Sequence, residues 1–285
     1  MKNDEKTVVA LGMFDGVHIG HKKLIDTAVL IAKARGFIPA VYTFSNHPQE
    51  LLGNKIARLC TNDDRCKYIS NLGIERIEMV EFTSQIRASS PKGFVDELIE
   101  LMKPAVVVAG FNYTFGMKKA GNADMLKQLA LARGIDAAIV PPVLFGKQPI
   151  SSTRIRSLIE KGDVQQAQML LGRTHNLQCT IIDAFEFYGI PMMGLNINRT
   201  ILLPASGVYI CFAEIDGCLH PAIAYICGGN TKLFLELVEP IRSFGSEAIV
   251  LRFIKNIRIA DFSMNNLSLE QLNSDRAKAC AYFGI

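Results

Sequence analysis

The sequence predicts an α/β chain, in which a parallel five-stranded sheet with flanking helices is followed by a smaller, mostly β domain that ends in a helix. Three observations predict it. Strand-like and helix-like runs alternate over the first 140 residues, the pattern of a parallel sheet with right-handed crossovers. Pro141-Pro142 then breaks the rhythm. From Leu177 onward the apolar runs are strand-like and are no longer separated by helices.

The elements follow in order. Residues 7–12 are a short apolar run closed by glycine, a buried strand. Over 22–34, Leu24, Ile25, Ala28, Val29 and Ala32 recur at helical spacing, and Gly36 stops the helix. A second strand is expected over 37–44, a helix over 62–72 and a third strand over 74–80. Residues 91–102 open with proline, which suits a first helical turn, and are amphipathic. A buried strand at 105–109, a helix at 124–133 and a fifth strand at 135–140 complete the series. Two short helices, 153–160 and 164–171, are each followed by glycine, Gly162 and Gly172. A second domain is expected to begin near 175, giving domains 1–174 and 175–285. Its strands are read at 208–215, 219–226, 233–238 and 248–254, with Asp216-Gly217 as a hairpin turn. The last twenty residues, with Leu269, Leu272, Ala277 and Ala279, read as a helix.

Composition excludes several classes. Hydrophobic residues make up 49% and charged residues 20%, enough apolar material for a core. Against 27 acidic residues stand 31 basic ones, a net charge of +4, too mild a balance to argue for a nucleic-acid partner. No apolar run approaches the ~20 residues that span a bilayer, so no membrane association is expected. The polar start leads straight into a strand, so no leader peptide is expected. Seven cysteines are scattered without a CxxC pair, which reads as reduced thiols and a cytoplasmic protein. Nothing in the sequence specifies an oligomeric state.

The chemistry-bearing residues cluster after the first strand. The segment from Gly12 to His21 reads Gly-Met-Phe-Asp-Gly-Val-His-Ile-Gly-His, and its second histidine opens the first helix. Glycines permit a tight turn and close approach of backbone to a ligand. A helix start offers N–H groups and a positive dipole end that suit a phosphate. Two imidazoles there, His18 and His21, could stabilise an oxyanion developing on phosphorus. Two other readings are a capped helix with two surface histidines, and a zinc site with His47 as third ligand. The latter lacks Cys, Asp or Glu at ligand spacing, and no metal site is assigned. Neither GxxxxGK[ST] nor GxGxxG occurs, so P-loop and dinucleotide readings fall.

His-x-Gly-His is the signature of the nucleotidylyltransferase superfamily and of class I aminoacyl-tRNA synthetases, which it resembles here. Their partner motif is a mobile loop that grips the outer phosphates of ATP. A matching stretch is Ser151-Ser152-Thr153-Arg154-Ile155-Arg156, after the fifth strand and entering a helix. Together with Thr43-Phe44-Ser45-Asn46-His47-Pro48, the segment Gly110–Gly116 and Leu171-Gly172-Arg173, these motifs resemble the prokaryotic-type bifunctional FAD synthetases, riboflavin kinase/FMN adenylyltransferases, over nearly the whole chain. The resemblance implies a Rossmann-like nucleotidylyltransferase domain followed by a riboflavin-kinase-like β-barrel. It implies AMP transfer from ATP to FMN, giving FAD and pyrophosphate, with Mg2+ as cofactor. In the strand order 3-2-1-4-5 the loops after the first and fourth strands line one crevice. By resemblance, His18 and His21 are catalytic. Gly12, Phe14, Asp15, Gly20, Asn112, Ser152, Thr153 and Arg156 would bind ATP, and Phe44, His47, Pro48 and Phe115 would lie on the flavin side. Ser45-Asn46 stands where the family has Asp-Pro.

The kinase half departs from its family pattern. The family reads Gly-Arg and then GxPTAN, whose Thr and Asn hold phosphate and magnesium; here residues 185–196 read Phe-Glu-Phe-Tyr-Gly-Ile-Pro-Met-Met-Gly-Leu-Asn. Aligned on Pro191, Thr becomes Met192 and Asn becomes Gly194; slipped by two, Asn196 is recovered and the threonine is still lost. Glu236 falls near the family's catalytic base. The expectation is an FMN adenylyltransferase with a decayed kinase barrel. Alternatives are a fully bifunctional enzyme with magnesium on Asn196, another class I-like enzyme such as a cytidylyltransferase, and a non-catalytic flavin-binding regulator.

Overall fold

The computed structural model describes residues 6–241, 245 and 247–285. The chain divides into two compact units. One runs through Ile56 and resumes over Thr61–Ser151; the other comprises Ala57–Cys60 and Ser152–Ile285.

The first unit holds strands β1 (Thr7–Leu11), β2 (Ile38–Phe44), β3 (Arg76–Val80), β4 (Pro104–Gly110) and β5 (Asp136–Val140) in one parallel sheet, order β3-β2-β1-β4-β5. The expected order and parallel sense are observed. Helices α1 (Ile19–Arg35), α2 (Asn62–Asn71), α3 (Pro91–Met102) and α4 (Ala123–Leu131) cover it. Alternation along the strands sends Val8 and Ala10 into one apolar layer with Leu24, Ile25, Ala28 and Ile69. Val9 and Leu11 go into the other, with Phe94, Leu98 and Leu126. All five residues of β1 are buried, as befits the central strand, which therefore carries no polar alternation. Helix α1 starts at residue 19 rather than 22, because the His18 side chain caps it; it ends, as expected, at Gly36 in the left-handed region. A short helix at Ser84–Ala88 is additional to the expected elements.

In the second unit, α5 (Ser152–Glu160) and α6 (Val164–Leu171) precede a closed antiparallel barrel. Its strands are β6 (His175–Phe187), β7 (Ile190–Ile197), β8 (Gly207–Ile215), β9 (Cys218–Cys227), β10 (Lys232–Leu237) and β11 (Ala248–Ile259), in the order β6-β7-β10-β9-β8-β11. Helix α7 (Leu269–Phe283) packs Leu272 and Ala279 against the outer face, with Val208, Ile223 and Tyr225. The Asp216-Gly217 turn is present with both residues at positive φ. Two strands escaped the sequence reading. β6 and β7 are joined by Tyr188 (φ 52°) and Gly189 (φ 78°), a two-residue turn without the usual Asn-Gly or Asp-Gly signature. The compact division falls at 151/152, not at the expected 174/175. The reason is packing: Val164 sits in the barrel core, and the amide of Ala205 donates to the carbonyl of Ile159 at 3.2 Å. Ala57–Cys60 joins this unit through backbone bonds of Arg58 with Thr200 and Leu202, both 2.8 Å. No described helix is long and apolar enough to cross a membrane.

Candidate active site

The loop between β1 and α1 is held in a conformation that two non-glycine residues adopt against their preference: Phe14 has φ 51° and Val17 φ 37°. Each costs of order 1–3 kcal/mol and persists only when its surroundings over-determine it. The Phe14 ring is fully buried, inserted beneath Gly12, where a Cβ would lie 3.0 Å from the ring. Its centroid is 5.3 Å from that of His21. Phe14 thus shapes the loop from within, and its side chain has no exposed surface, which leaves its backbone for any contact with the nucleotide. Asp15 is 5% exposed in the same loop.

His18 is the N-cap of α1, and its Nδ1 accepts from the backbone N–H of His21 at 3.2 Å. That bond leaves Nε2 to carry the proton of the neutral ring. The two imidazoles stack, 3.6 Å between centroids and 14° between planes. Gly20 permits the stack: a Cβ there would meet the His18 ring at 3.1 Å. The sequence motif therefore becomes a pair of parallel imidazoles at the positive end of a 17-residue helix. Such an arrangement can hold and polarise a phosphate.

Neighbouring loops flank this one. Phe44 ends β2, half-buried between Tyr42 and Phe82, with ring centroids at 5.6 Å and 5.0 Å. His47 and Pro48 follow, and the Nδ1 of His47 accepts from the amide of Gln49. Asn46, at the departure from the family's Asp-Pro, grips the backbone of Phe82 on both sides, accepting from its N–H at 2.7 Å and donating to its carbonyl at 3.1 Å. After β4, Asn112 is exposed in a turn closed by the amide of Tyr113 on the carbonyl of Gly110. The loops after β1, β2 and β4 thus stand side by side at the carboxyl ends of adjacent strands, where open parallel sheets bind ligands.

Phe115, expected on the flavin side, is packed inward. It is 6% exposed and belongs to the core, 5.3 Å from Phe94, with Gly121 directly against its ring. The exposed ring of that turn is Phe111, at 46%. Both rings lie within the Gly110–Gly116 segment.

Ser152, Thr153 and Arg156 belong to the second unit. They form the first turns of α5, whose Ile155 and Ile159 are fully buried, and which begins one residue before the helix expected over 153–160. Arg156 donates from Nε to the carbonyl of Ala57 at 3.1 Å.

On the barrel, Glu236 has no exposed surface. It accepts from the Tyr225 hydroxyl at 2.8 Å and pairs with Arg276 of α7 at 3.1 Å. Burial nonetheless holds its carboxyl above the usual range, the two partners opposing the shift. Asn196 is exposed on β7. Among the described residues no cluster of three or more His, Cys, Asp or Glu side chains is placed to hold a metal ion.

A five-stranded 3-2-1-4-5 sheet with paired histidines at the start of its first helix defines an α/β nucleotidyltransferase. Comparison with known proteins makes the class specific. The family model "FAD synthetase" matches residues 1–154. A bifunctional riboflavin kinase/FMN adenylyltransferase of Bacillus subtilis (strain 168) is 31% identical over 297 residues, covering 98% of this chain and 93% of that protein. An FAD synthetase of Listeria monocytogenes serovar 1/2a is 31% identical over 212 residues, covering 73% and 82%. A crystal structure described as a macrolide-efflux protein from Streptococcus pneumoniae superposes with a TM-score of 0.86 at 28% identity, covering 98% of this chain and 93% of the other. The chain belongs to the FAD synthetase family and is a nucleotidyltransferase.

Proposed function

We propose that the protein transfers AMP from ATP to FMN, giving FAD and pyrophosphate, and that it phosphorylates riboflavin weakly or not at all. The observation that carries the first half is the stacked His18–His21 pair at the start of α1, held by a strained loop. A phosphate oxygen of FMN attacks the α-phosphorus of ATP. The bond from that phosphorus to the bridging oxygen breaks, and pyrophosphate leaves with the electron pair. No covalent enzyme intermediate is required, because positioning and charge stabilisation supply the rate. His18 and His21 donate to the charge growing on the α-phosphate. The amides opening α1 and the backbone around Gly12, Asp15 and Gly20 cradle the nucleotide, with Asn112 beside it on the next loop. Phe44, His47 and Pro48 offer the flavin side an aromatic and polar edge, with Phe115 packed behind the neighbouring turn and Phe111 exposed on it. For Ser152, Thr153 and Arg156 the role on the outer phosphates rests on the resemblance alone. Mg2+ favours phosphate oxygens plus one or two carboxylates, so it would enter with the nucleotide.

The second half rests on the barrel. Where the family grips nucleotide with a loop, β6 and β7 are paired from Cys179–Ile197 to Phe187–Ile190, with one register shift between Ile181 and Asp183. Met192 and Met193 are 1% and 7% exposed, and Asp183 lies over Gly194. The turn at Gly228–Thr231 is closed on itself and on its neighbours: the Thr231 hydroxyl donates to Gly228, and Gly229 and Asn230 donate to Asp261 and Ser206. Met193 pairs with Leu235, so Met192 lies one step along beside Glu236. Asn196 is four residues further, roughly 13 Å along a strand, too far to replace the lost threonine beside that carboxylate. One assay tests both halves: ATP with FMN should yield FAD, and ATP with riboflavin should yield almost no FMN. Absence of FAD would overturn the first half, and robust FMN formation the second.

A further inference from the structure

Arg65 is 4% exposed, a buried cation on α2, a helix that the reaction as proposed does not use. Its guanidinium reaches two strand ends at once. Nη1 donates to the carbonyl of Met13 at 2.7 Å, and Nη2 donates to the carbonyl of Phe44 at 2.7 Å and to the side chain of Asn62 at 2.8 Å. Asn62 in turn donates to the carbonyl of Ser45 at 3.0 Å, and the Thr43 hydroxyl donates to the same Met13 carbonyl at 3.1 Å.

The position of these acceptors is what matters. Met13 directly precedes Phe14, the first left-handed residue of the loop that carries His18 and His21. Phe44 and Ser45 begin the loop that carries His47 and Pro48. Carbonyls beyond the end of a ladder need other donors when buried. A planar guanidinium meets two of them in a set geometry, which a lysine ammonium on a flexible stem does not. We propose that Arg65 is a positioning residue for adenylyl transfer. It sets the spacing between the histidine loop and the flavin-side loop, and without it the imidazole pair stands out of register with the incoming phosphate. The assignment rests on the function proposed above, and the experiment separates the two.

The variants are Arg65→Lys, which keeps the charge and loses the planar fork that meets both carbonyls, and Arg65→Met, which keeps the length. FAD formation from ATP and FMN is followed together with the imidazole 1H–15N signals of His18 and His21. His175 and His220 serve as internal controls. In Arg65→Lys the expected result is a kcat about 10²-fold lower, with KM for both substrates within about threefold. Signals of His18 and His21 should move while those of His175 and His220 stay in place. A folded variant with wild-type kcat overturns the proposal, and so does a fall in kcat with the His18 and His21 signals unmoved. If Arg65→Met fails to fold, Arg65→Lys decides. If the wild-type protein makes no FAD, the functional reading fails by itself. The histidine signals then still decide whether Arg65 sets the loop, moved signals supporting it and unmoved ones overturning it.

Discussion

The β1–α1 loop and the β6–β7 turn each hold a non-glycine residue in the left-handed region beside a strand end, and they do opposite things with it. In the β1–α1 loop, Phe14 and Val17 take that conformation, and buried polar groups gather around them: Asp15, His18, Thr43 and Arg65. At the β6–β7 turn, Tyr188 takes it alone, 57% exposed, and the strand that follows buries Met192 and Met193. In the first, strain is stored where polar side chains converge, and in the second it only tightens a hairpin. A left-handed residue therefore points to chemistry here through its company, since desolvated polar groups are costly unless the fold uses them.

The largest effect expected from this contrast is between the two reactions. Loss of the Thr and Asn groups, at about 10²-fold each if independent, would place riboflavin phosphorylation roughly 10⁴-fold below a working kinase of this family. Product analysis with riboflavin and ATP at saturating nucleotide checks it, and comparable rates of FMN and FAD formation would erase the contrast. Next in size is His21→Ala. It removes one imidazole while keeping the backbone N–H that His18 accepts from. FAD synthesis should fall by about 10²–10³, the cost of one oxyanion donor. Smaller again is Gly20→Ala, where the added methyl sits 3.1 Å from the His18 ring and must displace it by a few tenths of an ångström. A roughly tenfold loss of kcat is expected, a fraction of what a 1 Å misplacement costs. Alanine favours a helix over glycine by about 0.5–1 kcal/mol, so Tm should hold or rise. A fall in both kcat and Tm would mean that the methyl damages the helix rather than the stack.

How much of this the sequence carried depends on how local each feature is. Strand, glycine, His-x-Gly-His and helix lie within fifteen residues, and the structure assembles them where they stand: strand end, turn, cap. The sheet order was legible because alternating elements leave few topologies. Phe111 and Phe115 could not be told apart, since which ring turns inward depends on Gly121, where a Cβ would stand 2.6 Å from the Phe115 ring. Arg65 reads as the polar face of an amphipathic helix until the topology brings Met13 and Phe44 to it. The β6–β7 hairpin is hidden in the sequence because Tyr-Gly is a poor turn signature. Helices α5 and α6 were assigned by order along the chain, whereas packing gives them to the barrel.

The smallest effect concerns the carboxylate at the barrel's closed face, and it tests whether Glu236 is now a structural group. Burial raises its pKa from the ordinary 4.5, while the Tyr225 hydroxyl and Arg276 pull it back. With the folded value above the unfolded one, the folded protein binds more protons between the two, so unfolding free energy falls as pH rises through that interval. Below the ordinary carboxylate value, and above the raised one, this group contributes no slope. Glu236→Gln keeps an acceptor for Tyr225 and removes the titration, so the variant's Tm should change less than the wild type's as pH rises from about 4.5. The substitution leaves Arg276 without its carboxylate, but that side chain is 34% exposed and also donates to the carbonyl of Val238 at 3.2 Å, which limits the loss. Urea unfolding across that pH range checks the sign. A wild-type slope that survives the substitution would assign the proton uptake to another group, and a slope of opposite sign would mean that the pair with Arg276 outweighs burial.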